Sequence, residues 1–129
     1  MTENKKALDR KALSRQYKEA GRRMGVFRVR NTSISKSLIG SSVDLTAMLN
    51  RQRFQLEMGA HPNQALQSDW NKMGPESFEF GELDILKQPK DRPDYDPKED
   101  LRVLEEMWLQ KLDDSGESTY NVKVKLNGS

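Results

Sequence analysis

Residues 24–45, MGVFRVRNTSISKSLIGSSVDL, decide the fold of this chain. GVFRVR alternates apolar and basic side chains with the period of two that a half-buried strand requires. NTSIS supplies turn residues, and KSLIGSS is a second short run bounded by polar residues. Together the three segments predict a β-hairpin whose first strand has Phe27 and Val29 on one face and Val26, Arg28 and Arg30 on the other.

Gly25 and Gly40 lie inside the two strands of this hairpin. Glycine in a strand lowers stability unless a bulge or a close approach needs the missing side chain. We therefore expect another group to approach the hairpin closely at both positions.

The segments after the hairpin change to a helical period. LTAMLNRQRFQLEMG predicts a helix from about Ser42 to Gly59, and HPNQALQSDWNKMG predicts a second one with Pro62 in its first turn and Gly74 at its end. FEFGELDIL then predicts a third strand, in which Gly81 marks a bulge.

The remaining segments complete the order of elements. KQPKDRPDYDPKED predicts a loop, and Asp96, Pro97 and Glu99 predict a capping box that starts the helix PKEDLRVLEEMWLQKLDD. The tail TYNVKVKLNGS is either an edge strand or loose, and residues 4–20 predict a basic amphipathic helix. Paired strands followed by helices favour an α+β domain with a small antiparallel sheet.

Composition excludes several classes of chemistry. The chain has 129 residues, no cysteine and one histidine, so disulfides, thiolate catalysis and two-histidine metal sites are excluded. A Ser/His/Asp triad is disfavoured as well. No apolar run reaches membrane-spanning length, and the N-terminus lacks a signal-peptide core, so we expect a cytoplasmic protein without a membrane partner.

Charge is distributed unevenly along the chain. Residues 1–30 contain ten Lys or Arg and three Asp or Glu, whereas residues 76–117 contain six and fourteen. A basic end can bind phosphate, and it can equally bind an acidic protein or the acidic part of the chain itself. The oligomeric state is left open by the sequence.

Two polar residues lie among apolar ones on predicted helices. At about 100° per residue, Glu105 falls inside the stripe of Leu101, Leu104, Trp108 and Leu112, whereas Glu106 falls outside it. A carboxylate there is costly unless it is paired, protonated or bound to a cation, and Arg51 or Arg53 are candidate ion-pair partners. Gln52 occupies a similar place on the helix after the hairpin.

The hairpin and the helix that follows it resemble the GIY-YIG endonuclease family. GVF at 25–27 stands at the GIY position and LIG at 38–40 stands at the YIG position, with ten residues between the two motifs. LEEMWLQKL followed by Tyr120 and Asn121 is similar to the closing helix of the family, in which a glutamate four residues before an aliphatic position binds metal. That spacing selects Glu105, four residues before Leu109.

The resemblance implies a three-stranded antiparallel sheet flanked by helices at residues 23–121, between an N-terminal basic extension at 1–22 and a tail at 122–129. It also implies cleavage of DNA with one divalent metal such as Mg²⁺ on Glu105, and no organic cofactor. The hairpin glycines would let a phosphate backbone approach. The candidate catalytic residues are Glu105, Asn121, Ser41, Arg51 and Arg53. The candidate scaffold residues are Gly25, Val26, Phe27, Leu38, Ile39 and Gly40, and the candidate nucleic-acid contacts are Arg22, Arg23, Arg28, Arg30 and Lys36.

This chain departs from the family at its reactive groups. Phe27 and Leu38 replace two tyrosines, Met48 replaces an arginine, and Gln52 replaces a frequent histidine. Loss of a proton-handling group and of a charge-stabilising donor each lowers a rate by about 100-fold or more. We therefore rank a nucleic-acid-binding domain with impaired or lost hydrolysis first. The alternatives are a working metal-dependent nuclease that uses Glu105 with other partners, and a regulatory module that binds an acidic protein.

Overall fold

A computed structural model describes residues 23–122 of the chain. The predicted basic helix at 4–20, Arg22, and the tail from residue 123 onward lie outside this range. The described elements, in chain order, are β1 (Met24–Asn31), β2 (Lys36–Ser42), α1 (Leu45–Glu57), α2 (Gln64–Met73), a 3₁₀ turn (Pro75–Ser77), β3 (Phe78–Leu86), α3 (Lys98–Asp114) and β4 (Ser118–Thr119).

The sheet has the strand order β3-β1-β2-β4. The predicted α+β class and the predicted hairpin are confirmed, because β1 pairs antiparallel with β2 and with β3. The expectation of three antiparallel strands was incomplete, because β4 adds a two-residue parallel pairing with β2. After α3, the chain turns back beside β2, where the backbone N–H of Tyr120 donates to the Ser37 carbonyl at 2.8 Å.

Both faces of the sheet are covered. Phe27 and Val29 point to one face and form a core with α1 and α2, whereas Val26 and Ile39 point to the other and pack against α3. The alternation predicted for the first strand is therefore confirmed, although this strand is buried on both faces because α1 and α2 cover one face and α3 covers the other. The sheet separates α1 and α2 from α3.

The two hairpin glycines make room for groups of the protein itself. A Cβ at Gly25 would stand 1.9 Å from the Asp84 carbonyl oxygen, and one at Gly40 would stand 2.5 Å from the Phe27 ring. The expectation of a close approach is confirmed. The idea that a phosphate backbone is the approaching group is wrong for these two positions, because a neighbouring strand and a core ring already fill the space.

The helices after the hairpin begin and end close to the predicted residues. Asp44 caps α1 by accepting the Ala47 N–H, and Gly59 ends it with a φ of +74°. Asn63 caps α2, so Pro62 precedes the helix and is not in its first turn as predicted.

Two predicted local features differ from the structure. The bulge in β3 lies opposite Val26 and Phe27, while Gly81 pairs regularly with Arg28. At the start of α3 the Asp96 carboxylate accepts only the Lys98 N–H, and the Glu99 carboxylate binds Arg102, so the predicted capping box does not form. The Glu99 carboxylate is therefore engaged with Arg102 and not with the backbone at the start of the helix.

Across residues 23–122, none of the helices combines the length and the apolar character needed to cross a membrane.

Candidate active site

Glu105 lies on the side of α3 that faces the sheet. It is half-buried, whereas Glu106 is exposed and binds Arg102, as the helical wheel predicted. Ser41 Oγ on β2 donates a hydrogen bond to Glu105 Oε1 at 2.9 Å. Two candidates named from the sequence are therefore in direct contact, and within residues 23–122 the carboxylate of Glu105 has no ion pair.

Asn121 contacts the middle of β2, where its amide is engaged with the backbone. Its Oδ1 accepts the Ile39 N–H at 2.8 Å and its Nδ2 donates to the Ile39 carbonyl at 2.6 Å. The side chain thus acts as an extra strand residue that holds the chain after β4 against β2. In this arrangement Asn121 fixes the strand that carries Ser41.

Arg51 and Arg53 lie on α1, across the sheet from α3. Arg53 stacks its guanidinium over the Phe80 ring at 4.4 Å, and Arg51 is exposed. Neither forms the ion pair with Glu105 that the sequence allowed. The sheet lies between them because α1 packs on the Phe27 face and α3 on the Val26 face.

The six motif residues form the centre of the hairpin. Phe27 pairs with Gly40, Val26 with Ser41, and Leu38 with Val29, each across the antiparallel ladder. Phe27 is 4% exposed, and its ring packs into the core rather than toward solvent. These positions are those of Gly25, Val26, Phe27, Leu38, Ile39 and Gly40, and the scaffold role of these residues stays a prediction.

Most of the basic candidates already have a partner inside the molecule. Arg23 forms an ion pair with Glu82 at 2.7 Å, Arg30 with Glu117 at 3.3 Å, and Lys36 lies over the Tyr120 ring at 4.7 Å. The Arg23 guanidinium also holds the pKa of Glu82 below its usual value. Arg28 differs, because it forms no ion pair with any residue from 23 to 122.

A buried polar network around His61 was missed by the sequence analysis. His61 Nδ1 accepts the Asn63 N–H at 3.0 Å, which places the ring proton on Nε2, where it is donated to Gln52 Oε1 at 2.5 Å. Burial lowers the pKa of His61, so the ring is neutral at pH 7. Gln52 was correctly placed among apolar residues, and its Oε1 is paired with His61.

A second network surrounds Tyr120, which follows β4. Its hydroxyl donates to Asp69 Oδ2 at 2.6 Å and accepts from Asn31 Nδ2 at 3.1 Å. Burial, together with the hydrogen bond to Asp69, raises the pKa of Tyr120 to about 12. The hydroxyl therefore stays protonated and acts as a structural donor.

The donor set at Glu105 suits a hard divalent cation. A carboxylate and a hydroxyl supply oxygen ligands, and Mg²⁺ is commonly held by one or two carboxylates while it keeps several waters. No group of three or more Asp, Glu or His residues that could enclose an ion occurs in the described part of the chain. The residues fit an open site with few protein ligands better than an enclosed one.

Comparison with known proteins supports the fold described above. No family model matches the chain, and no curated protein matches it in sequence. Among solved structures, the catalytic domain of homing endonuclease I-TevI is similar with a TM-score of 0.62 and 27% identity, over 78% of this chain and 99% of that one. A glutamate-to-alanine mutant of the I-TevI catalytic domain gives 0.61 and 25%, over 81% and 97%. The chain therefore has the GIY-YIG nuclease fold, as found in the catalytic domain of I-TevI.

Proposed function

We propose that this chain binds nucleic acid, with DNA the expected partner, and that its ability to hydrolyse phosphodiesters is impaired or lost. The fold is shared with a domain described as the catalytic domain of a homing endonuclease, which supports a nucleic-acid partner. The side chains at the hairpin centre and around Glu105 support the loss of hydrolysis.

The observation that carries the proposal is the chemistry of Phe27 and Leu38. Both are hydrocarbon side chains packed in the core on the α1 face of the sheet. Neither can accept or donate a proton at the stage where water attacks phosphorus. A general acid or base contributes about 10²- to 10⁴-fold to a rate, so its loss alone makes turnover slow.

Within residues 23–122, Glu105 has no paired Lys or Arg that could stabilise charge in the transition state. Arg53 is stacked on Phe80, and neither it nor Arg51 pairs with the Glu105 carboxylate. Charge stabilisation of this kind contributes about 10²- to 10³-fold. The two losses together leave binding as the property that the fold retains.

Glu105 and Ser41 are the residues that would hold a divalent ion such as Mg²⁺. When bound, the ion would neutralise charge on a phosphate oxygen. Ser41 would orient the Glu105 carboxylate, because its hydroxyl donates to one oxygen, while the other oxygen has no hydrogen bond within residues 23–122. In a binding protein the same arrangement would hold a phosphate through the ion without cleaving it.

Fluorescence anisotropy with labelled single-stranded and duplex DNA tests the proposal. If about three cations contact phosphates, raising salt from 50 to 200 mM should weaken binding to the duplex by roughly 40-fold and to the single strand by roughly 20-fold. The logarithm of the binding constant falls linearly with the logarithm of the salt concentration, and Arg28→Gln should reduce the magnitude of this slope for duplex DNA by about 0.9. The reason is that Arg28 has no internal ion pair in residues 23–122. Lys72→Gln, at the exposed end of α2, is the matched control and should leave the slope unchanged. Affinity that does not change with salt would contradict the proposal.

The contact between Ser41 and Glu105 also favours a second candidate, a working metal-dependent nuclease with altered partners. This candidate predicts cleavage in Mg²⁺ or Mn²⁺ that Glu105→Gln abolishes while the protein remains folded. Glu106→Gln, one residue along and paired only with Arg102, should cleave like the parent. Equal cleavage by the Glu105→Gln variant and the parent would refute this candidate.

A further inference from the structure

Asp84 reaches the α3 face of the sheet because β3 has a bulge. Val26 pairs with Asp84 and Phe27 with Glu82, so Leu83 is the extra residue between them. Regular alternation would send the side chains of residues 83 and 84 to opposite faces, but Leu83 packs in the α3 core and Asp84 also contacts α3. Bulges are a common means of redirecting a side chain beside a functional site.

The contact of Asp84 with α3 is a directed hydrogen bond. Trp108 Nε1 donates to Asp84 Oδ2 at 3.0 Å, while Asp84 Oδ1 accepts the Ile85 N–H at 2.9 Å. The backbone at Asp84 is held close to β1, since its carbonyl oxygen occupies the space that a Cβ at Gly25 would need. The glycine of the first motif thus permits the strand approach that places Asp84.

Two polar contacts therefore fix α3 on the sheet, one on each side of β1. Ser41, Val26 and Asp84 form one row across β2, β1 and β3. Ser41 binds Glu105, and Asp84 binds Trp108, three residues and about one helical turn further along α3. The other contacts of α3 in this core are apolar and non-directional, and they set the position of a helix less sharply than hydrogen bonds do.

We propose that Asp84 is a positioning residue for Glu105. By holding the Trp108 indole, it sets the rotation of α3 about its axis and so keeps the Glu105 carboxylate within hydrogen-bond reach of Ser41. This inference deepens the proposed function, since the carboxylate it positions is the one proposed to bind the cation. Its structural part does not depend on whether the chain binds nucleic acid.

The test uses the full chain labelled with ¹³C at glutamate side-chain carboxyls. The Glu105 signal is identified by its loss in Glu105→Gln, and Ser41→Ala shows how far the signal moves when its hydrogen bond is removed. Asp84→Ala should move the signal in the same direction as Ser41→Ala. Asp84→Asn should move it less than Asp84→Ala, because asparagine keeps one oxygen to accept from Trp108 while its amide nitrogen cannot accept the Ile85 N–H. Glu82→Gln, two residues away and directed to the other face, is the control and should leave the signal in place.

Trp108→Phe removes the same hydrogen bond from its other side, because it removes the N–H donor and keeps an aromatic ring in the core. It should reproduce the Asp84→Ala shift if the hydrogen bond is the cause. A Glu105 signal that moves in Ser41→Ala but stays in place in both Asp84→Ala and Trp108→Phe would overturn the inference. An equal shift in Glu82→Gln would also overturn it, because the effect would then be general to β3.

Titration with Mn²⁺ gives an additional readout. Substituting a residue that orients a metal ligand commonly weakens binding by about 10- to 100-fold, so we expect at least about a tenfold loss in Asp84→Ala and a smaller loss in Asp84→Asn. A parent protein that binds no Mn²⁺ would contradict the proposed cation site, whereas the carboxyl signal would still decide the role of Asp84. Equal Mn²⁺ affinity in the parent and Asp84→Ala would contradict the positioning role.

Discussion

Gly40→Ala tests how the hairpin centre is packed. An added Cβ would lie 2.5 Å from Phe27 Cζ and 2.7 Å from Cε1, where ordinary contact begins at 3.4 Å. The ring would have to retreat by about 0.9 Å. Phe27 is 4% exposed and packed on all sides, so no open space receives it. Overpacking of this kind costs about 1–3 kcal/mol, and we expect the free energy of unfolding to fall by that amount.

Urea denaturation of the parent and the variant measures this loss. Gly81→Ala is the matched control, because Gly81 lies in β3 of the same sheet and a Cβ there meets no atom within 4 Å. Its stability should stay within about 0.5 kcal/mol of the parent. Adding Phe27→Leu to Gly40→Ala should recover about 1 kcal/mol relative to the sum of the single changes. Additive effects, or equal stability of Gly40→Ala and Gly81→Ala, would refute the packing argument.

Two further predictions concern the polar contacts. His61 is neutral and its pKa is lowered by burial from 6.5, so the unfolded chain takes up the proton first as pH falls. The urea concentration at the unfolding midpoint should therefore decline from pH 7 to pH 5, a range above that in which carboxylates titrate. His61→Gln should make this midpoint independent of pH over the same range. A midpoint that does not change with pH in the parent would contradict the buried neutral ring. Asn121→Ala removes both bonds to the Ile39 backbone and should cost about 1–3 kcal/mol by the same assay. A loss of unfolding free energy below about 0.5 kcal/mol would show that water replaces these two hydrogen bonds.

The fold was predictable from the sequence because its signals are local. Alternation in GVFRVR predicted β1, and the polar residues after it predicted the turn. Gly59 and Gly74 predicted the ends of the two helices that follow. Glu105 was found because a helical wheel needs no tertiary information. The contact of Glu105 with Ser41 depends on how α3 packs against β2. The family resemblance indicated only that helices flank the sheet.

Other parts of the site depend on contacts between distant segments. Nothing in the sequence of β3 marks the bulge at Leu83, and Gly81 was the more obvious signal. The partner of Gln52 is His61, nine residues further along, and a lone histidine gave no sign of it. The role of Gly40 required knowledge of where the Phe27 ring lies, since a glycine shows only that space is needed.

The assignment of Arg51 and Arg53 as substitutes near Glu105 illustrates the same limit. They were named as candidate ion-pair partners of Glu105, but α1 and α3 pack on opposite faces of the sheet. Helical angles describe one helix and do not say which face of a sheet it covers. The cation that hydrolysis needs is therefore not supplied by these two arginines in this structure.

The most direct test of the central claim measures binding and cleavage in the same samples. Labelled single-stranded, duplex and branched DNA are incubated with the chain in Mg²⁺ or Mn²⁺, beside Glu105→Ala and EDTA controls. Anisotropy reports the complex and gel electrophoresis reports the products. We predict a salt-sensitive complex without cleavage above the level of the controls. Rapid cleavage that is lost in both controls would contradict the proposed loss of hydrolysis, and the absence of any complex at low salt would contradict the proposed nucleic-acid partner.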